Sequence, residues 1–182
     1  YMIEPALKLL GDRWSEHATG IAEEHFFSAW LRNKLGARLH HEAASVTGST
    51  LLVSCVPGHR HEVGPLLFSL AALGRGYQVV YLGIDMPMEP IPDVVARCNA
   101  QGVVLAGGRE PDPDSTLISI AALATRLSCP LFIGGPISVR YKQALVDAGG
   151  IPVGVQFTPA LHLVSSVLPA HESDRQYSTR TQ

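Results

Sequence analysis

Thr50-Leu51-Leu52-Val53-Ser54-Cys55-Val56-Pro57-Gly58-His59-Arg60-His61-Glu62-Val63-Gly64 passes from an apolar, β-branched run through a Pro-Gly break into a helical pattern. Leu51–Val56 reads as a buried strand, and Glu62–Leu73 as a helix closed by Gly74 and Gly76. The two histidines therefore fall on a strand-to-helix loop. In an open α/β sheet, ligands gather beyond the carboxyl ends of the strands. An imidazole placed there can ligate a metal or carry a proton near neutral pH.

The same alternation continues along the chain. Strands are expected at Gln78–Leu82, Val103–Ala106, Pro130–Ile133 and, weakly, Ile151–Val155. Helices are expected at Ile91–Asn99, Thr116–Leu127, Val139–Ala148 and Pro159–Leu168. Strands alternating with helices of this length imply parallel pairing through right-handed crossovers. Five such units make an α/β, flavodoxin-like (Rossmann-like) sheet over residues 47–169. Before it, residues 1–46 look helical. One apolar stripe runs from Met2 to Leu10, and a second from Ile21 through Phe26, Phe27, Trp30, Leu31 and Leu35 to Leu39. Two helices alone make a poor domain, so this segment must pack on the sheet domain or on helices outside it. Residues 170–182 are polar and lack apolar periodicity, as expected of a disordered tail.

Composition narrows the function classes. A chain of 182 residues with 46% hydrophobic residues and net charge −2 carries no dense Lys/Arg run, so direct nucleic-acid binding by this segment is not expected. Cys55, Cys98 and Cys129 are odd in number and widely spaced, unlike a disulfide framework or a zinc knuckle. No membrane-spanning run or signal peptide is evident, and a cytoplasmic setting is the expectation. The chain opens inside a helical pattern without an initiator methionine, which suggests a segment of something longer.

Four loops should share one rim: Pro57–Gly64, Leu82–Pro87, Ala106-Gly107-Gly108 and Gly134-Gly135-Pro136. Glycines there let a ligand approach the backbone. Each Gly pair alone is explained as well by turn chemistry. Together with the histidines they point to a large, flat ligand. Neither G-x-G-x-x-G nor G-x-x-x-x-G-K-[ST] occurs, and no G-x-S-x-G nucleophile elbow is present.

His59-x-His61-x-x-Gly64 resembles the Asp/Glu-x-His-x-x-Gly motif of cobalamin-binding domains, with Gly134-Gly135 matching their later Gly-Gly. Trp14 and Glu24-His25, nine residues apart, resemble the Trp-x9-Glu-His motif of light-sensing cobalamin domains of the CarH type. The resemblance covers residues 1–168 or so. It implies that residues 1–46 are the last two helices of a four-helix cap. It implies that His61 replaces the vitamin's own base as lower ligand to cobalt. Gly64, Ala106, Gly107, Gly134 and Gly135 would line the path of the nucleotide tail. Trp14 would cover the upper axial group, and Glu24 and His25 would reach ribose hydroxyls.

The implied cofactor is 5′-deoxyadenosylcobalamin, with hydroxocobalamin and methylcobalamin as alternatives and room for a bilin as a second chromophore. The implied role is a non-enzymatic light sensor that signals to an output domain or partner protein outside the segment, with homo-oligomers in view. The rivals are a corrinoid carrier domain of a methyltransferase system and a ligand-free regulatory domain.

This chain departs from the resembled pattern at three places. Position 59 is His where the family keeps a carboxylate that orients the ligand. Ser15 stands where the light-sensing repressors have a His, with His17 nearby. Ala106 or Gly107 stands where a Ser is expected.

Overall fold

The computed structural model describes residues 20–43, 46–108 and 112–170. A long helix α1 (Gly20–Ala43) precedes β1 (Thr50–Cys55), α2 (Val63–Leu73), β2 (Gln78–Gly83), α3 (Ile91–Cys98) and β3 (Gly102–Ala106). There follow α4 (Pro113–Arg126), β4 (Leu131–Gly134), two short helices α5 (Pro136–Arg140) and α6 (Lys142–Asp147), β5 (Ile151–Gly154) and α7 (Phe157–Val167). The strands form one parallel sheet of order β2-β1-β3-β4-β5. Chain order reverses between β1 and β3, the switch point beside which open α/β sheets bind their ligands.

Side chains of a strand alternate between faces, so β1 feeds two cores. Leu52 joins Val103, Leu105, Leu131 and Ile133 beneath Ile91, Ile120 and Leu145 of the helices on one face. Leu51 and Val53 join Val104, Phe132 and Val153 beneath Phe68 of α2 and Leu161 and Val164 of α7 on the other. All six residues of β1 are buried, as the continuous apolar run requires of a central parallel strand.

Helix α1 adds an outer layer. Leu31, Leu35 and Leu39, one turn apart, pack with Leu66 and Leu73 of α2. Arg32 lies level with the start of α2, its Nε 3.9 Å from Glu62 Oε2. At the far end the Val46 carbonyl accepts from Gln78 Nε2, at the start of β2. Helix α1 thus runs from the carboxyl edge of the sheet toward its amino edge, and its first turns project past the rim where the loops gather. Leu35→Ala should cost about 2–5 kcal/mol of packing. Because Leu35 belongs to this outer cluster and to neither core of the sheet, hydrogen exchange should show protection lost across Gly20–Ala43 and retained in β1 and β3.

Several expectations need correction. The apolar stripe assigned to the second helix is two faces. At 100° per residue Phe26 and Trp30 fall far from Leu31 and Leu35, and they are 75% and 47% exposed. Ile21 is exposed as well. The single helix expected over Val139–Ala148 is two pieces, because Tyr141 at φ −116°, ψ 33° leaves the helical region. The first piece starts earlier, since Pro136 suits a first helical position. Helix α4 likewise starts at Pro113 rather than Thr116, with Asp112 Oδ1 accepting from the Ser115 N–H at 3.1 Å as its cap. Cys129 lies in the loop before β4. Ala170 is buried, and its carbonyl accepts from the Ser49 N–H at 2.8 Å, so the ordered domain extends through it. The expected helix over Met2–Leu10, Trp14, Ser15 and His17, and the tail beyond Ala170 lie outside the described residues.

Candidate functional site

The histidine loop begins in a turn. The His59 N–H donates to the Val56 carbonyl at 3.1 Å, with Pro57 next in chain and Gly58 at φ +79°, the pattern of a type II turn. The loop after β2 braces it. Asp85 Oδ1 accepts from the Gly58 N–H at 2.7 Å, and the Asp85 N–H donates to the His59 carbonyl at 3.2 Å. Asp85 itself sits in the left-handed region at φ +51°.

The two imidazoles differ in setting. Their ring centroids are 5.2 Å apart and tilted by 44°. His61 is exposed, whereas His59 is half-buried against Gly108 in the loop after β3. Burial lowers the His59 pKa below its ordinary value, and the neighbouring His61 lowers it further. His59 therefore favours its neutral form, which carries one ring donor and one ring acceptor. Gly64 opens α2 on the same rim, and a Cβ there would meet nothing within 4 Å.

The glycine loops meet beside the histidine loop on the rim. The Gly107 N–H donates to the Gly134 carbonyl at 3.1 Å, and the Gly135 N–H donates to the Gly154 carbonyl at 2.9 Å. Gly135 has φ +84° and faces the Gly107 backbone so closely that a Cβ would collide with its carbonyl. Ser138, which the motif reading passed over, is buried and donates through Oγ to the Gly135 carbonyl at 2.6 Å. Its position three residues after Gly135, at a helix start, is the signal that could have found it. Ala106 ends β3, paired with Gly134 of β4 and Cys55 of β1.

Glu24 and His25 stand on the projecting part of α1. Glu24 is eight residues before Arg32, about 12 Å further along the helix axis from Glu62. It is half-buried and accepts from Ser28 Oγ at 2.8 Å, while His25 is exposed. The structure thus gathers His59, His61 and the glycine loops on one rim and sets Glu24 and His25 beyond it. Trp14 is outside the described residues.

Glu62, next to His61, was not singled out from the sequence. It approaches Arg32 and accepts from Tyr81 Oη at 3.4 Å. Burial pushes the Tyr81 phenol up, with the Glu62 carboxylate adding to the effect, so Tyr81 stays protonated and donates. A groove of about 580 Å³ runs here between α1, α2 and β2, lined by Arg32, His40, Glu62, Leu66 and Tyr81 among others. Neither histidine of the loop nor any rim glycine lines it, so it is separate from the histidine and glycine loops. Among the described residues no cluster of three or more His, Cys, Asp or Glu side chains forms a metal cage, and no helix is long and apolar enough to cross a membrane.

No family profile matches the chain. In sequence it is similar to the HTH-type transcriptional repressor CarH of Myxococcus xanthus, 28% identical over 151 residues that cover 80% of this chain and 49% of that repressor. It is similar to the repressor CarA of the same organism at 25% identity, again over 80% and 49%. The chain thus spans about half the length of these relatives, and both carry the names of repressors rather than enzymes.

In fold it is similar to the monomethylamine corrinoid protein of Methanosarcina barkeri, with TM-score 0.61, 18% identity, and coverage of 89% of this chain and 78% of that one. A cobalamin-binding protein of Desulfitobacterium hafniense DCB-2 aligns with TM-score 0.54 and 19% identity over the same shares. The methanol:cobalamin methyltransferase complex of Methanosarcina barkeri aligns with TM-score 0.52 and 17% identity, over 73% of this chain and 53% of that one. The five-stranded parallel sheet with flanking helices is the flavodoxin-like architecture of these corrinoid proteins.

Proposed function

This chain is similar to CarH-like cobalamin-binding domains, and from that premise we propose that it is a sensory module holding a corrinoid at the carboxyl rim of its sheet. The observation that carries the reading is an exposed imidazole, His61, on the same carboxyl rim of the sheet as the closely packed glycine loops after β3 and β4. The donor set fits the group. A corrin ring supplies the equatorial ligands of its cobalt, so the protein needs to offer one neutral imidazole rather than a cage. The tail needs a slot between strand ends, and Gly107 and Gly135 keep two backbones close without side chains between them.

In this reading His61 would supply a ring nitrogen to the cobalt, and His59 would orient that ring. Gly64 leaves its side of the slot open. Ala106, Gly107, Gly134 and Gly135 flank the tail. Glu24 and His25 offer hydrogen-bonding groups from the projecting helix, and Trp14 belongs to the same cap, where its large rigid face would exclude water. When bound, an adenosylated corrinoid supplies a cobalt–carbon bond that light can break. Helix α1 then carries the change outward, since its packing on α2 ties the cap to the helix that follows the His loop. Cytoplasmic location, an output element outside this segment and self-association through the cap belong to the same proposal.

The test is a UV–visible titration with adenosylcobalamin, recorded before and after illumination. Saturable binding with a His-on spectrum that changes on illumination is expected. Absence of binding sinks the corrinoid reading, and binding without a light-induced change sinks the sensor. The fold neighbours give one rival, a corrinoid carrier for methyl transfer. Preference for methylcobalamin over adenosylcobalamin would favour it.

A further inference from the structure

Gly108 is packed against the His59 ring. A Cβ placed on it would lie 2.8 Å from His59 Cε1 and 2.9 Å from Nδ1, closer than carbon and nitrogen atoms tolerate. The ring therefore occupies space that any other residue at 108 would fill. The backbone of His59 is fixed from the other side, because Asp85 donates its N–H to the His59 carbonyl and accepts the Gly58 N–H through its carboxylate. Three loops, following β1, β2 and β3, thus converge on His59, the half-buried histidine of the pair: the β2 loop holds its backbone and the β3 loop packs on its ring. His61 stands beside it, with ring centroids 5.2 Å apart.

Resting on the corrinoid reading above, we infer that Gly108 and Asp85 are positioning residues. Together they mould the seat of the His59 ring and, through it, fix the orientation of the His61 imidazole. A His can then serve at position 59, where a smaller carboxylate would not need the room that Gly108 leaves. The seat also keeps His59 from turning outward to take the metal in place of His61.

The test uses the whole chain labelled with ¹⁵N-histidine. Ring resonances of the ligand-free protein are compared for wild type, Gly108→Ala, His59→Ala and the double variant. Gly108→Ala should move the ring signals of both histidines, and in the His59→Ala background it should leave His61 where it was. Such non-additivity marks residues that act through one another. After loading with hydroxocobalamin and reduction to the cobalt(II) form, the nitrogen coupling in the EPR spectrum reads the His-on fraction. Gly108→Ala should lower it about as far as His59→Ala does, with corrinoid affinity down about tenfold, as outer-shell changes around a metal-bound His usually give.

Asp85→Gly keeps the left-handed backbone and removes only the carboxylate. It should act in the same direction, and it decides the matter if Gly108→Ala does not fold. His61 signals that stay put in Gly108→Ala and Asp85→Gly, or that move equally with and without His59, overturn the inference. A wild type that binds no corrinoid ends the sensor proposal, while the ring signals still decide whether the seat exists.

Discussion

Replacing His61 with alanine should abolish the His-on cobalt spectrum, whereas His59→Ala should only weaken it. The structure explains why two neighbouring histidines should behave so differently. His61 is exposed on the rim, with its imidazole accessible to a ligand lying over the strand ends. His59 is half-buried against Gly108, its backbone clamped by the loop after β2, and burial favours its neutral form. A ring in that seat would have to leave it before it could reach a metal at the rim.

Removing the inner partner of a metal-bound His typically costs about 10–100-fold in affinity, because the ligand loses its fixed orientation and part of its basicity. Removing the ligand itself leaves no imidazole in place to bind, so the His-on component should vanish rather than shrink. Spectra of both variants with hydroxocobalamin, taken beside the wild type, measure this. A His-on spectrum that survives in His61→Ala and is lost in His59→Ala would reverse the assignment. Loss in both would mean that the pair binds as a unit.

The sheet could be read from the chain because its signals are local and redundant. Each strand is a short apolar run closed by a glycine or proline break, and each helix has an apolar stripe, so an error of a residue or two at a boundary changes nothing in the topology. Position along a helix was harder. The apolar residues Ile21, Phe26 and Trp30 look continuous with Leu31 and Leu35 in sequence, yet the helical turn puts Phe26 and Trp30 on the side away from α2. The break at Tyr141 left no mark in the pattern, since Val139, Leu145 and Val146 keep helical spacing across it. Asp112-Pro113 was a legible helix start that apolar spacing alone overlooked.

In the site, His59, His61 and the glycine pairs were visible as residue types at a strand end. What joins them was not. The Asp85 clamp and the Gly108 seat bring together loops separated by more than twenty residues of chain, and only the parallel register of β1 with β2 and β3 places those loops side by side.

Gly135→Ala should be the most damaging small substitution on the rim, and Gly134→Ala, its immediate neighbour, among the mildest. Gly135 sits at φ +84°, ψ −177°, a region that only glycine occupies without strain. Forcing a side chain into it costs about 1–3 kcal/mol. The added Cβ would also strike the Gly107 carbonyl, which cannot simply step aside. The Gly107 N–H donates to the Gly134 carbonyl, and the Gly107 carbonyl accepts from the Ile137 N–H, so the backbone is held on both sides of that residue. Overpacking of such a site adds a further cost of about 1–3 kcal/mol.

Gly134, by contrast, lies in β4, and a Cβ there meets Val153 Cγ2 at 3.5 Å, ordinary contact. Urea denaturation should therefore show Gly135→Ala destabilised by about 3 kcal/mol or more, against well under about 1 kcal/mol for Gly134→Ala, out of a total of about 5–15 kcal/mol for a domain. Where Gly135→Ala still folds, parting the Gly107 and Gly135 backbones reshapes the slot proposed for the tail. Corrinoid titration of that variant should show binding lost, while Gly134→Ala, which adds a methyl beside the tail without moving the backbone, should weaken it less. Equal stability of the two variants would mean that the β3 and β4 loops are not held together as tightly as their hydrogen bonds indicate. Equal binding would move the tail away from this junction.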